Sequence, residues 1–181
     1  MSHNDLTLAK NIKLLVLDVD GILTDGSLLY GESGETLKRF HTHDGMGVRL
    51  LMQTGVSVAL ITARRSAMVE KRAQELGIKH VFMGQDIKKP VFESLQNTLN
   101  LSANECAYMG DDLTDIPCLQ LSGLAITVPN ACELAKQHAQ WITQNAGGHG
   151  AVREACEMIL HAQNNYDTVI QQYLATRGYI V

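Results

Sequence analysis

Asp18 and Asp20 stand two residues apart, directly after the unbroken apolar run Ile12–Leu17. Thr62 follows a second such run, Val56–Ile61, and Lys88 comes shortly after a third, His80–Met83. Asp111, Asp112 and Asp115 follow a fourth, Cys106–Met109. These residue types suit phosphoryl transfer. Carboxylates gathered at one place repel unless a hard cation sits among them, and Mg²⁺ takes oxygen ligands in an octahedron while keeping some of its waters. With the repulsion screened, a carboxylate such as Asp18 can attack phosphorus, and water then hydrolyses the acyl phosphate. Asp20 can reach the same place to protonate the leaving oxygen and later to activate the water. Thr62 and Lys88 would hold phosphoryl oxygens, the lysine as a compact positive charge offsetting what the equatorial oxygens carry.

Chemistry spread over such distant segments needs elements that deliver it to one place. The four runs, with Leu124–Val128, read as strands, the longest of them buried on both faces. Helix-period segments fall between and after them, roughly at 45–53, 66–76, 88–99, 115–121 and 151–163, with Gly55 and Gly77 where helices should stop. Strands alternating with helices predict an α/β fold, a doubly wound, Rossmann-like parallel sheet. In such a sheet the carboxyl ends of the strands share one edge, where ligands bind. Between Gly21 and Phe40, apolar stretches flank Gly31, Ser33 and Gly34 as a β-hairpin projecting from the sheet. Residues 1–10 are expected to be flexible and 166–181 to form a tail. No repeat or linker divides the chain, so residues 1–181 read as a single domain with no room for a cap domain.

Composition narrows the partners. The 181 residues suit one domain. Lys plus Arg number 15 against 19 Asp plus Glu, a net charge of −4, which lacks the basic footprint that nucleic acid requires. Any phosphate handled here is therefore on a small, anionic molecule. The polar N-terminus lacks a signal peptide's apolar stretch, and no apolar run nears the roughly 20 residues of a membrane span, so the expected location is the cytoplasm. Cys106, Cys118, Cys132 and Cys156 show no CxxC pairing and read as small core residues.

The order Asp-x-Asp, Thr, Lys, Asp-Asp resembles the haloacid dehalogenase superfamily, with DVDGILTDG (Asp18–Gly26) as first motif, Thr62 as second, Lys88 as third and GDDLTD (Gly110–Asp115) as fourth. That resemblance implies Asp18 as nucleophile, Asp20 as acid/base, and Mg²⁺ held by Asp18, the backbone carbonyl of Asp20 and Asp111. Asp112 is a candidate for the cation's outer shell, and Asp112 and Asp115 are also candidate helix caps. Asp25 can brace the hairpin turn, and Lys89 competes with Lys88 for the phosphate. DVDGILTDG, FHTHDGMG (Phe40–Gly47) and GGHGAVRE (Gly147–Glu154) together look like the small capless phosphatases acting on 3-deoxy-D-manno-octulosonate 8-phosphate, a lipopolysaccharide precursor.

This closer resemblance implies substrate contacts at Asp20, His41, Thr42, His43, Asp44, Gly45, Arg49, Arg64, Arg72 and Lys88. It also implies a homotetramer in which one subunit's hairpin covers its neighbour's site. His43 and His149 depart from the pattern, since relatives commonly carry arginine at the first place and arginine or lysine at the second. Histidine is mostly neutral at pH 7, so permanent positive charge is reduced and a nine-carbon, sialate-type 9-phosphate stands as the alternative substrate. A signalling receiver domain also combines acids, a threonine and a lysine, but there the paired acids come first and the threonine and lysine last. A non-catalytic binding member of the fold would need no nucleophile.

Overall fold

A computed structural model describes residues 7–179. In chain order its strands are β1 (Leu14–Leu17), β2 (Leu29–Gly31), β3 (Gly34–Leu37), β4 (Ser57–Thr62), β5 (His80–Met83), β6 (Cys106–Met109), β7 (Leu124–Thr127) and β8 (Trp141–Ile142). Six of them build one parallel sheet in the order β5-β4-β1-β6-β7-β8, while β2 and β3 pair antiparallel in a separate hairpin. The apolar runs become the central strands because both of their faces are covered: every residue of β1, β6 and β7 is buried. This is the doubly wound α/β sheet with a projecting hairpin that the alternation predicts.

Register decides where the polar residues emerge. Leu17 at the end of β1 lies opposite Leu60 on one side and Met109 on the other. The ladder extends one step further, Asp18 N–H donating to the Met109 carbonyl at 2.9 Å. Asp18, Thr62 and Gly110–Asp111 therefore leave the sheet at one edge.

The helices are α1 (Thr42–Gln53), α2 (Ala67–Leu76), α3 (Lys89–Thr98), α4 (Ile116–Leu121), α5 (Glu133–His138), α6 (Ala151–Ala162) and α7 (Tyr166–Ala175). Gly77 ends α2 in the left-handed region at φ 80°. Two expectations change. Residues 166–181 are not simply a tail: Tyr166, Val169, Ile170 and Tyr173, at helical spacing, pack α7 onto the core. Nor are residues 7–10 loose, since 7–9 are helical, Ala9 is buried, and Gln163 Nε2 donates to the carbonyls of Ala9 and Ile12 at 3.4 and 2.8 Å. The rest of the expected flexible N-terminus, residues 1–6, lies outside the described residues.

α1 begins earlier than its periodicity predicts, at Thr42, and lies close along α6. A Cβ on Gly47 would stand 2.9 Å from Arg153 Cα. Asp44, in the first turn of α1, is 1% exposed, and its Oδ1 accepts the Arg153 N–H at 2.8 Å. Burial raises its carboxyl pKa, while backbone N–H groups of Arg153, Gly150 and Val152 pull the other way. Asp44 thus caps the N-terminus of α6. Asp44, an expected substrate contact, is engaged by the backbone of α6 through Oδ1, while its Oδ2 is buried with no hydrogen-bond partner.

Candidate active site

The loop after β1 is a tight turn. Three consecutive N–H groups, of Ile22, Leu23 and Thr24, converge on the Val19 carbonyl at 3.3, 2.9 and 3.0 Å. Gly21 sits in it at φ 95°, where a Cβ would lie 2.0 Å from Asp111 Oδ2. Only glycine supplies both that backbone conformation and that approach. From the other side, a Cβ on Gly147 would meet the Gly21 carbonyl at 1.7 Å, and Gly148 N–H donates to the Ile22 carbonyl at 2.9 Å. The glycines of GGHG are therefore a close backbone contact that presses on the nucleophile loop.

Within that frame the charged groups interlock. Lys88 leads into α3 with its side chain 2% exposed, and its Nζ donates to Asp18 Oδ1 at 2.6 Å and to Asp115 Oδ1 at 2.7 Å. Asp115 has no exposed surface; its Oδ1 also accepts the Tyr108 hydroxyl at 2.8 Å, and its Oδ2 accepts the N–H of Asp111 and Asp112 at 3.1 and 3.2 Å. Asp18, Asp111 and Asp115 each bring one oxygen within 4.8 Å of the others. Buried charge of this density costs several kcal/mol per ion unless it is paired, and among the described residues Lys88 is the cation in contact with it. Burial and Asp115 push the Asp18 carboxyl up to about 8 despite Lys88, and burial with the charges of Asp115 and Asp112 pushes Asp111 up to about 7. Burial works against the charge of Lys88, but Asp18 and Asp115 outweigh it and raise its pKa.

A divalent cation fits the surplus. Asp111 Oδ1 is buried with no hydrogen-bond partner, and Asp115 is fully occupied, which leaves Asp18 and Asp111 to face an ion. Asp112 is exposed and caps the turn Leu113–Asp115, accepting the Leu113 N–H at 2.8 Å, one of the two roles expected of it. Asp115, weighed as a cap or an outer-shell group, is the hub of the cluster. The raised carboxyls set a sign. The folded, cation-free protein holds protons on Asp18 and Asp111 that the unfolded chain releases near the ordinary value of 3.8. That contribution to stability is present in acid and is lost as pH rises toward 7 and 8. Thermal unfolding in chelator is expected to show Tm falling between roughly pH 5 and pH 8, with saturating Mg²⁺ restoring more at pH 8 than at pH 5. A Tm indifferent to both pH and Mg²⁺ would contradict the arrangement.

Asp20 is held by the hairpin. Lys38, its side chain 1% exposed, donates to Asp20 Oδ1 and lies 3.1 Å from Glu35 Oε1. Arg64 reaches the same cluster, with Nη2 donating to the Tyr30 hydroxyl at 2.6 Å, 3.7 Å from Glu35, and Nε 4.0 Å from Asp20 Oδ2. Thr62 is 2% exposed and its Oγ1 accepts the Arg64 N–H at 3.3 Å. Lys38, Glu35 and Tyr30 were not legible from motif spacing; the nearest signal is the Glu35–Lys38 charge pair on the strand leaving the hairpin. Lys89 is exposed and lies 3.7 Å from Glu93, which leaves Lys88 as the site lysine.

The remaining expected ligands do not join this cluster. Arg72 crosses over Gly45, where a Cβ would lie 2.3 Å from its Nη2, and stacks 5.9 Å from the Phe40 ring. Arg49 donates to the Glu75 carbonyl. Thr42, Gly45, Arg49, Arg72 and Glu75 line a separate cavity of about 330 Å³ between α1 and α2. His41 and His43 meet edge to face with ring centroids 5.0 Å apart, and His43 is exposed. His149 Nε2 lies 3.3 Å from Nη2 of Arg39, which pairs with Asp25. The charge that the sequence lacks at His149 thus stands beside it on Arg39. Among the described residues no helix is long and apolar enough to cross a membrane.

Known proteins resemble this chain closely. A family described as haloacid dehalogenase-like hydrolase matches residues 83–155. The 3-deoxy-D-manno-octulosonate 8-phosphate phosphatase KdsC of Escherichia coli K12 is 42% identical over 167 residues, covering 92% of this chain and 89% of the relative. The crystal structure of the phosphatase of that name from Moraxella catarrhalis, in complex with a magnesium ion, a phosphate ion and a KDO molecule, superposes with a TM-score of 0.92 at 45% identity, over 96% of this chain and 99% of that one. The cobalt-bound form of the Haemophilus influenzae enzyme gives 0.86 at 37% identity, over 89% and 94%.

Proposed function

This chain belongs to the haloacid dehalogenase-like hydrolases, in the family of the 3-deoxy-D-manno-octulosonate 8-phosphate phosphatases, and from that premise we propose that it hydrolyses this sugar-acid phosphate as one phosphatase domain. The observation that carries the reading is Asp18 held by Lys88 beside an unpartnered Asp111 oxygen at the carboxyl edge of the sheet. Asp18 attacks phosphorus as the bond to the sugar oxygen breaks, and Asp20 gives that oxygen its proton. Asp20 then takes a proton from water, whose oxygen attacks the acyl phosphate, releasing phosphate and regenerating the Asp18 carboxylate. Thr62 and Lys88 hold the phosphoryl oxygens through both steps. Mg²⁺, which Asp18, Asp111 and the Asp20 carbonyl would hold, would supply the positive charge that lets an anionic nucleophile meet an anionic phosphoryl group.

A substrate panel tests this. With Mg²⁺ the eight-carbon 8-phosphate is expected to give the highest kcat/KM, ahead of nine-carbon sialate-type 9-phosphates. A reversed order would make the chain a nine-carbon enzyme, and no hydrolysis of any ester would end the phosphatase reading.

Leu28, Leu29, Tyr30 and Leu37 are 43–63% exposed on the hairpin and its approach. Apolar surface of this kind marks a contact site, which supports assembly into a homotetramer through the hairpins. Sedimentation equilibrium is expected to give about four times the 19.9 kDa chain mass; a purely monomeric protein would rule the assembly out.

A further inference from the structure

Tyr108 lies within β6 with no exposed surface, edge-on to Phe92 of α3 at a centroid distance of 5.6 Å. A buried phenol needs a partner for its hydroxyl, and this one has chosen a particular oxygen. It donates at 2.8 Å to Asp115 Oδ1, the same atom that receives Lys88 Nζ at 2.7 Å. Burial and the Asp115 charge hold the phenol well above its ordinary pKa, so it remains a donor. With the N–H groups of Asp111 and Asp112 on Oδ2, each carboxylate oxygen has two donors, and the plane of the group is fixed. Lys88 has three N–H bonds. One goes to Asp115 and one to Asp18, leaving a third for the phosphoryl group.

We propose that Tyr108 is a positioning residue for phosphoryl transfer: its hydroxyl fixes Asp115, and Asp115 in turn aims Lys88 between the nucleophile and the reacting oxygens. The inference rests on the role given to Lys88 above. Without the hydroxyl, Asp115 Oδ1 keeps the ammonium as its only partner there. The carboxylate can then rotate about its two backbone bonds and draw Lys88 away from Asp18. The ring itself only packs, so phenylalanine preserves the contact with Phe92.

The test is a double-mutant cycle on the phosphate ester that the wild-type protein hydrolyses best, at saturating Mg²⁺. Tyr108→Phe is expected to lower kcat about tenfold, because small displacements of a positioned charge cost one to two orders of magnitude, while KM stays within about twofold. On an Asp115→Asn background the same change is expected to add nothing, since the two act through one path. Additive losses, or a kcat for Tyr108→Phe within about twofold of wild type, overturn the proposal. The single variant decides alone should Asp115→Asn not fold, because a merely structural hydroxyl would lower Tm without separating kcat from KM. An active wild type with an indifferent Tyr108→Phe sinks this inference only. A wild type inactive on every ester takes the phosphatase reading down with it.

Discussion

Asp18→Asn is expected to cut turnover by more than about 10⁴-fold, the scale seen when a covalent catalyst loses its nucleophile. The amide matches the carboxylate in shape, and its oxygen can still accept from Lys88 Nζ, so the contact seen at 2.6 Å survives. Folding should not suffer, because a neutral amide is easier to bury than a carboxylate whose burial already pushes its pKa up to about 8. What is lost is an oxygen able to bond to phosphorus. Steady-state phosphate release measures the loss, and acid quenching should trap phosphate on the wild-type protein and none on the variant. Turnover retained within about 100-fold would point to another nucleophile, Asp20 being the nearest carboxylate in sequence.

Gly21→Ala should injure the cation site without touching a ligand. The new Cβ would fall 2.0 Å from Asp111 Oδ2 and 2.5 Å from its Cγ, at a backbone φ of 95°. An L-residue there pays roughly 1–2 kcal/mol in conformation alone. Relief by moving the backbone is blocked, because the Gly21 carbonyl already abuts Gly147. The Asp111 carboxylate must therefore swing aside. Mg²⁺ binding followed by titration calorimetry should weaken at least about tenfold, and kcat should fall on the order of 10²-fold even at saturating Mg²⁺. Unchanged Mg²⁺ affinity would show that Asp111 does not hold the ion.

The core of the site could be read from the chain because phosphoryl chemistry demands particular groups and a parallel sheet demands particular runs. Asp18, Thr62 and Asp111 each follow a segment too apolar to be anything but buried, and Lys88 follows the weaker, half-buried run of β5, so their meeting at one edge follows from the fold class. Position within the strand-to-helix turns was less legible. Asp112 and Asp115 look alike in sequence, yet one is exposed as a cap and the other has no exposed surface. What separates them is the Lys88 contact, made across 27 residues.

Tyr108 and Lys38 escaped for a related reason. An aromatic on a buried strand reads as core, and a lysine on a hairpin reads as solvated, until the fold sets an acid against each. Asp44 shows the reverse. It stands inside a motif shared with sugar-phosphate enzymes, but its carboxylate serves the backbone of α6. The two-residue β8 left too little periodicity to separate from loop, whereas α7 carries helical spacing at Tyr166, Val169, Ile170 and Tyr173 that stands in the sequence.

The hydrogen bond between Asp44 and Arg153 spans 109 positions, and the clasp of Gly147 on Gly21 reaches from the first motif to the last quarter of the chain. Both bear on how the protein is made. The ribosome releases Asp18 well before Gly147 and Arg153, since synthesis proceeds at about 5–20 residues per second. For many seconds a nascent chain carries Asp18 with no glycine clasp to shape its loop and no α6 for Asp44 to cap. A product truncated between residues 115 and 147 would keep every acid of the motifs and still lack the glycine clasp on the nucleophile loop. The nucleophile loop therefore takes its final shape only once the segment through Arg153 has joined it.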